Sequence, residues 1–184
     1  MIVCAGNIES FDFATPIGVG LIDSAITLSE ICIKTPPKFL LFVGTAGSYG
    51  EKKIFDIIRS KSACNIENSY FTSNAYTPLD NLISTTPIVS RETIVNSSNY
   101  ITTDISLATH YISRGIHLEN MEFYAVMKVA QRFNIPTGGL FIVTNYCDSN
   151  AHRDFKANHA KAMQMLEEYL QQDKEKIFGT FSNG

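Results

Sequence analysis

The stretch Glu119-Asn120-Met121-Glu122-Phe123-Tyr124-Ala125-Val126-Met127-Lys128-Val129-Ala130-Gln131-Arg132-Phe133-Asn134-Ile135-Pro136 decides how the rest of the chain is read. Val126, Val129, Ala130 and Phe133 fall at i, i+3, i+4 and i+7, the core stripe of an amphipathic helix with Glu119 and Glu122 in an acidic first turn. Pro136 has no N–H to continue the helix and disfavours helical geometry at Ile135, so a turn follows. Gly138 to Asn145 then reads as a buried strand that ends in polar groups at Thr144 and Asn145. A carboxylate at a helix start and polar groups at a strand end thus lie on one short piece of chain. In α/β proteins, sites form outside the carboxyl ends of strands.

Outward from this unit, strands and helices alternate. Met1 to Gly6 is a short apolar strand, and Ile17 to Lys34 keeps helical spacing through Ile17, Leu21, Ala25, Leu28 and Cys32 until Thr35-Pro36-Pro37 stops it. Phe39 to Val43 is a continuous apolar run, as a strand buried on both faces requires, and it empties into a glycine-rich loop, Gly44 to Gly50. From Lys52 to Ser90 the pattern weakens. Ile54, Ile57 and Ile58 fit a helical turn or a strand, and Asn65 to Leu82 reads as irregular or edge structure. Thr93 to Val95 forms a strand entering a polar loop, Ile105 to Ser113 a short helix, and Ala151 to Gln172 a final helix before a frayed tail from Lys174. The alternation predicts a single domain over residues 1–184, a three-layer α/β/α fold with a mixed, mostly parallel central sheet.

Composition narrows the function. A chain of 184 residues with 45% apolar and 18% charged residues supports one domain with a sizeable core. Its net charge of −3, with no dense Lys/Arg cluster, gives no reason to expect nucleic acid. No run approaches the roughly 20 apolar residues a membrane helix needs, and no signal-peptide pattern opens the chain. Cys4, Cys32, Cys64 and Cys147 show no metal-binding spacing and read as reduced core residues of a cytoplasmic protein. His152 and His159 are seven apart on the last helix, but lack a further ligand for a metal site. No metal or organic cofactor is expected.

Several pieces, in order, resemble the nucleoside phosphorylase/nucleosidase superfamily. Ile17-Gly18-Val19-Gly20 is similar to its helix-opening turn, Gly44-Thr45-Ala46-Gly47 to its glycine-rich loop, and Val95 to Ile101, with Tyr100, to its base-stacking segment. Asn120-Met121-Glu122 with Ala125, closed by Phe133-Asn134-Ile135-Pro136, resembles the ribose-binding helix, and Thr144-Asn145-Tyr146-Cys147-Asp148 the end of the next strand. The resemblance implies that Glu122 and Met121 hold the ribose, that Tyr100, Thr144 and Asn145 contact the base, and that Gly6 and Thr45 contact phosphate, a co-substrate. It also implies a homo-oligomer, a dimer or trimer of dimers, in which Tyr70, Phe71 and Tyr76 could complete a neighbour's site.

The departures from the family pattern bear on the chemistry. Asn145 stands where the family carries an Asp that donates a proton to purine N7; an amide can donate and accept hydrogen bonds but is no general acid. Trimeric purine phosphorylases use an Asn for 6-oxopurines, so Asn145 favours hypoxanthine or guanine. Phe42 stands where hexameric phosphorylases carry a phosphate-binding Arg, which leaves Arg91 as the unplaced cation. The family's nucleosidases carry a base Glu near the N-terminal strand, for which Glu9 and Asp12 are both candidates. The first expectation is a purine nucleoside phosphorylase-like enzyme acting on a 6-oxopurine nucleoside, with Glu122 and Asn145 as catalytic groups. A nucleosidase using water, or a non-catalytic nucleoside-binding protein, are the alternatives.

Overall fold

The fold is described from a computed structural model, which covers residues 1–86 and 92–182, with side chains to residue 172; Arg91 lies outside the described residues. The element order is β1 (Ile2–Cys4), β2 (Thr15–Pro16), α1 (Leu21–Lys34), β3 (Leu40–Ser48), β4 (Ile57–Ser60), β5 (Ser62–Cys64), a short 3-10 turn (Asn68–Thr72), β6 (Leu82–Ser84), β7 (Ile94–Ser97), α2 (Ile105–Ile112), β8 (Ile116–Asn120), α3 (Phe123–Phe133), β9 (Thr137–Tyr146) and α4 (Ala151–Ser182).

The strands form one mixed sheet in the order β2-β1-β3-β8-β7-β5-β6, with β9 also on β3 and β4 on β9. The β1–β2, β1–β3, β3–β9, β5–β7 and β7–β8 pairs are parallel, while β3–β8, β4–β9 and β5–β6 are antiparallel. Strand alternation sorts β3 onto two faces. Leu40 and Phe42 join α1 and α3 through Leu28, Cys32, Phe123, Val126 and Met127 in one core. Leu41 and Val43 join α4 through Ala162, Leu166 and Leu170 in the other. A third cluster, with Tyr49, Tyr111 and Ile116, packs α2 against the sheet. The expected three layers and mixed, mostly parallel sheet are present.

Local expectations fail where tertiary pairing overrides them. Gly44 to Ser48 continues β3 rather than forming a loop, because Gly44 to Ser48 pair in parallel with Phe141 to Tyr146 of β9. Glu119 and Asn120 end strand β8, paired to Gly47 of β3 and Ser97 of β7, so helix α3 begins only at Phe123. Helix α1 begins at Leu21, since Gly18 (φ +98°) and Gly20 (φ +86°) hold left-handed backbone that a helix cannot include. For Ile57 and Ile58, read as a helical turn or a strand, the strand is what forms. Helix α4 runs to Ser182, through the segment expected to fray. At the helix end read from sequence, Asn134 (φ +54°) closes α3 and its N–H donates to the Ala130 carbonyl.

Candidate active site

The carboxyl ends of β1, β3, β7, β8 and β9 converge on one cavity of about 460 Å³. Gly6, Thr45, Tyr100, Met121, Glu122, Thr144 and Asn145, gathered from five separate stretches of chain, all line it. Sequence reading brought these seven together by resemblance, and the fold brings them together in space. Tyr70, Phe71 and Tyr76, expected to reach a neighbour's site, lie outside this cavity, and Phe42 is buried in the core against Phe123 and Phe141.

Glu122 is 4% exposed and is held by three donors. The Gly20 amide donates to Oε1 at 2.9 Å, and Asn120 Nδ2 and the Met121 amide donate to Oε2 at 3.0 and 3.2 Å. Burial, with a smaller contribution from the nearby Glu9 carboxylate, raises its pKa to about 7 against the pull of these donors. The carboxylate thus sits at the N-terminus of α1, where backbone amides favour negative charge. Asn99 Oδ1 accepts from the Leu21 amide at the same helix start, 3.0 Å away.

Glu9 reaches the cavity through a tight turn. The Gly6 amide donates to the Glu9 carbonyl and the Glu9 amide to the Gly6 carbonyl, at 3.1 and 3.0 Å. Gly6 (φ +96°) and Asn7 (φ +55°) both adopt left-handed backbone to make that reversal. The Glu9 carboxylate then accepts from the Thr45 amide at 3.1 Å and from the Thr45 hydroxyl. Gly44 leaves the space for it: a Cβ there would stand 2.9 Å from Glu9 Oε2. Of the two carboxylates weighed as the nucleosidase base, Glu9 lines the cavity, while Asp12 is exposed and outside it. The Thr45 donors are therefore engaged by a protein carboxylate rather than open to an anion. No Lys or Arg is among the described residues that line the cavity.

Just beyond Thr45 the β3–β9 register slips between Ala46 and Gly47, leaving Thr144 without a partner in β3. This bulge turns the consecutive Thr144 and Asn145 both to the cavity, where strict alternation admits one. The Thr144 hydroxyl donates to Asn145 Oδ1 at 2.9 Å, and Asn145 Nδ2 donates to the Tyr146 carbonyl at 3.0 Å. That fixes the amide's orientation and leaves one N–H and one lone pair unspent. Tyr100 and Ile101 stand at the mouth, 79% and 54% exposed. From α4, Ala151, His152 and Phe155 complete the lining, and His159 packs on Phe155 with ring centroids 5.0 Å apart. Glu119 is a lining residue that sequence reading assigned only to a helix start.

The phosphorylase superfamily model matches residues 2–172. The chain belongs to the phosphorylase superfamily. Among curated proteins none matches it by sequence. Solved structures share the superfamily fold. The 5'-methylthioadenosine/S-adenosylhomocysteine nucleosidase of Helicobacter pylori superposes with a TM-score of 0.75 at 18% identity, covering 89% of this chain and 79% of its own. The futalosine hydrolase of the same organism gives 0.74 at 19%, covering 89% and 78%. A Francisella philomiragia protein described as a putative 5'-methylthioadenosine/S-adenosylhomocysteine nucleosidase gives 0.76 at 14%, covering 93% and 96%. At these identities the likeness concerns the superfamily fold, and these neighbours are named for hydrolysis rather than phosphorolysis. Among the described residues no helix is long and apolar enough to cross a membrane, and all four cysteines are buried and unbridged.

Proposed function

We propose that this superfamily member hydrolyses the N-glycosidic bond of a purine nucleoside. The observation that carries the reading is Glu9, whose carboxylate takes up the Thr45 donors in a cavity lined by three carboxylates, Glu9, Glu119 and Glu122, and by no Lys or Arg among the described residues. A phosphate dianion placed there meets like charge at close range, whereas water meets a base. Hydrolysis, the alternative to phosphorolysis at the level of sequence, thus becomes the main reading, and the hydrolase names of the structural neighbours favour it.

In this reading Glu9 accepts a proton from water as its oxygen bonds to the anomeric carbon. The carbon–nitrogen bond breaks with its electron pair going to the purine, which takes a proton from solvent water as Glu9 returns its own to solvent. Glu122, as a carboxylate, accepts from the ribose hydroxyls and stabilises the developing oxocarbenium charge. Met121 packs the sugar, Tyr100 stacks on the base, and the unspent Asn145 N–H and lone pair bind the base edge. Asn145 supplies a hydrogen bond rather than a proton, and this favours one second reading, a nucleoside-binding protein without turnover.

The test is base release from 5'-methylthioadenosine, adenosine, inosine and guanosine, with and without phosphate. Release at equal rates in both conditions supports hydrolysis, strict phosphate dependence restores phosphorolysis, and saturable binding without release supports the second reading.

The exposed apolar rim of the cavity, with Val19, Tyr100 and Ile101 beside Ile22 and Ile26 of α1, supports a homo-oligomer in which a second copy covers the mouth. A monomeric mass in solution at working concentration overturns that arrangement. Four buried thiols fit a reducing cytoplasm.

A further inference from the structure

Glu119 lines the cavity but, beyond counting among its carboxylates, takes no step in the hydrolysis outlined above. Its carboxylate, on a residue only 5% exposed, accepts four contacts. The Thr102 amide donates to Oε1 at 2.9 Å and the Thr102 hydroxyl to Oε2. The Tyr49 hydroxyl donates to Oε2 at 2.9 Å, and the Cys147 thiol reaches Oε1 at 3.9 Å. The network continues inward. Asn96 Nδ2 donates to the Tyr49 hydroxyl at 3.3 Å, and the Tyr49 ring stacks on Tyr111 at 4.2 Å with 10° between planes. A buried carboxylate with its lone pairs satisfied is a fixed point in the sheet.

The other end of this network is the segment over the cavity. Tyr100 and Ile101 are largely exposed, so side-chain packing does little to set their position. Their backbone is held on both sides instead. Before them, Asn99 ties to the first turn of α1 through the Leu21 amide. After them, Thr102 offers both its amide and its hydroxyl to Glu119. One anchor alone leaves a hinge; two, three residues apart in sequence, fix the span between them.

We propose that Glu119 is a positioning residue for nucleobase capture, holding the Tyr100–Ile101 segment over the cavity through Thr102. The role rests on the reading that a nucleobase lies beneath Tyr100. Glu119 itself touches no substrate in this role. Its contribution is preorganisation, which lowers the cost of ordering the segment on binding.

Three full-length variants test it. Thr102→Val keeps the amide contact and the β-branched shape but loses the hydroxyl; Glu119→Gln presents an N–H donor to hydroxyls that donate; Thr102→Ser restores the hydroxyl. Amide hydrogen exchange at Tyr100 and Ile101 is measured with kcat and KM for 5'-methylthioadenosine and inosine. Thr102→Val and Glu119→Gln are expected to speed exchange in the segment and raise KM roughly tenfold with kcat little changed, with Ser close to wild type. Unmoved KM in both variants, a fall in kcat as large as that in kcat/KM, or failure of Ser to rescue overturns the role of Glu119 while wild-type turnover leaves hydrolysis standing. Wild-type protein that neither cleaves nor binds any nucleoside overturns the hydrolysis reading, and this role with it.

Discussion

The Gly20 amide donates to Glu122 Oε1 at 2.9 Å, joining the start of α1 to the start of α3 across 102 positions of sequence. The contact places a buried carboxylate against a helix N-terminus, yet burial still lifts its pKa to about 7. As the ribose-binding group Glu122 acts ionised, so kcat/KM is expected to rise with pH and level off above an apparent pKa near 7. A profile flat from pH 5 to 8 would exclude Glu122 from that role.

The same shift carries a sign for stability. Between the ordinary carboxylate value of 4.5 and about 7, the folded state binds more protons than the unfolded chain. Stability is therefore full below the lower value and is lost as pH rises through the upper one, by up to about 3 kcal/mol. Glu122→Gln is expected to flatten this slope in denaturant melts of the ligand-free protein at pH 5 and pH 8.

Glu9 and Asp12 separate the two candidate bases. Glu9→Gln keeps a side chain able to accept from Thr45 but cannot take a proton from water. The turnover number is expected to fall about 10²–10⁴-fold, the range of a general base, with nucleoside affinity largely kept. Asp12→Asn, outside the cavity, is expected to leave both unchanged. Steady-state kinetics on the pair decide it, and equal losses in the two variants would undo the assignment.

Two glycines separate activity from stability. A Cβ at Gly44 would stand 2.9 Å from Glu9 Oε2 and 3.1 Å from Phe42 Cε1; the carboxylate must swing away, while the ring need give only by a few tenths of an ångström. Gly44→Ala is expected to displace Glu9 and cost turnover. A Cβ at Gly139 would meet Phe141 Cε2 at 2.5 Å and Phe123 Cε2 at 2.8 Å, inside the core. Gly139→Ala is expected to cost stability by about 1–3 kcal/mol, the usual range for overpacking. Thermal melts and rates on both variants give the comparison; the opposite ranking counts against the placement of Glu9.

Asn145 offers a gain-of-function test. Asn145→Asp introduces a group that can be protonated beside the departing base, and buried surroundings favour that neutral form. Release of adenine from 5'-methylthioadenosine is expected to quicken at least tenfold, a modest share of what general acids contribute (about 10²–10⁴). An unchanged rate would mean that the leaving group does not sit at this strand end.

Much of the architecture can be read locally. The α3–β9 unit is legible because an apolar stripe, Asn134 and Pro136 mark its parts within a few residues of each other. Strand β8 is not. Its five residues include a buried Glu and Asn whose polarity signals surface, and their partners on β3 and β7 are invisible to a local pattern. Gly44 to Ser48 misleads in the same way, since glycines there reflect the close approach of Glu9, Asn145 and Cys147 rather than a turn. Seven cavity residues were reachable through motifs. Glu9 over Asp12 was not, because the choice is made by the Gly6–Glu9 reversal and a contact to Thr45, 36 positions away.

The parallel pairing of β3 with β9 joins segments almost a hundred residues apart, from Leu40–Thr137 to Ser48–Tyr146. Thr45 and Asn145 come within reach of one ligand only after that long loop has closed, and closure of this kind slows folding. No early, locally folded portion of a refolding chain can own a complete cavity. Capture of a fluorescent nucleoside during refolding should therefore lag behind helix formation and coincide with the last cooperative phase, which makes the ligand a clock for completion of the whole fold.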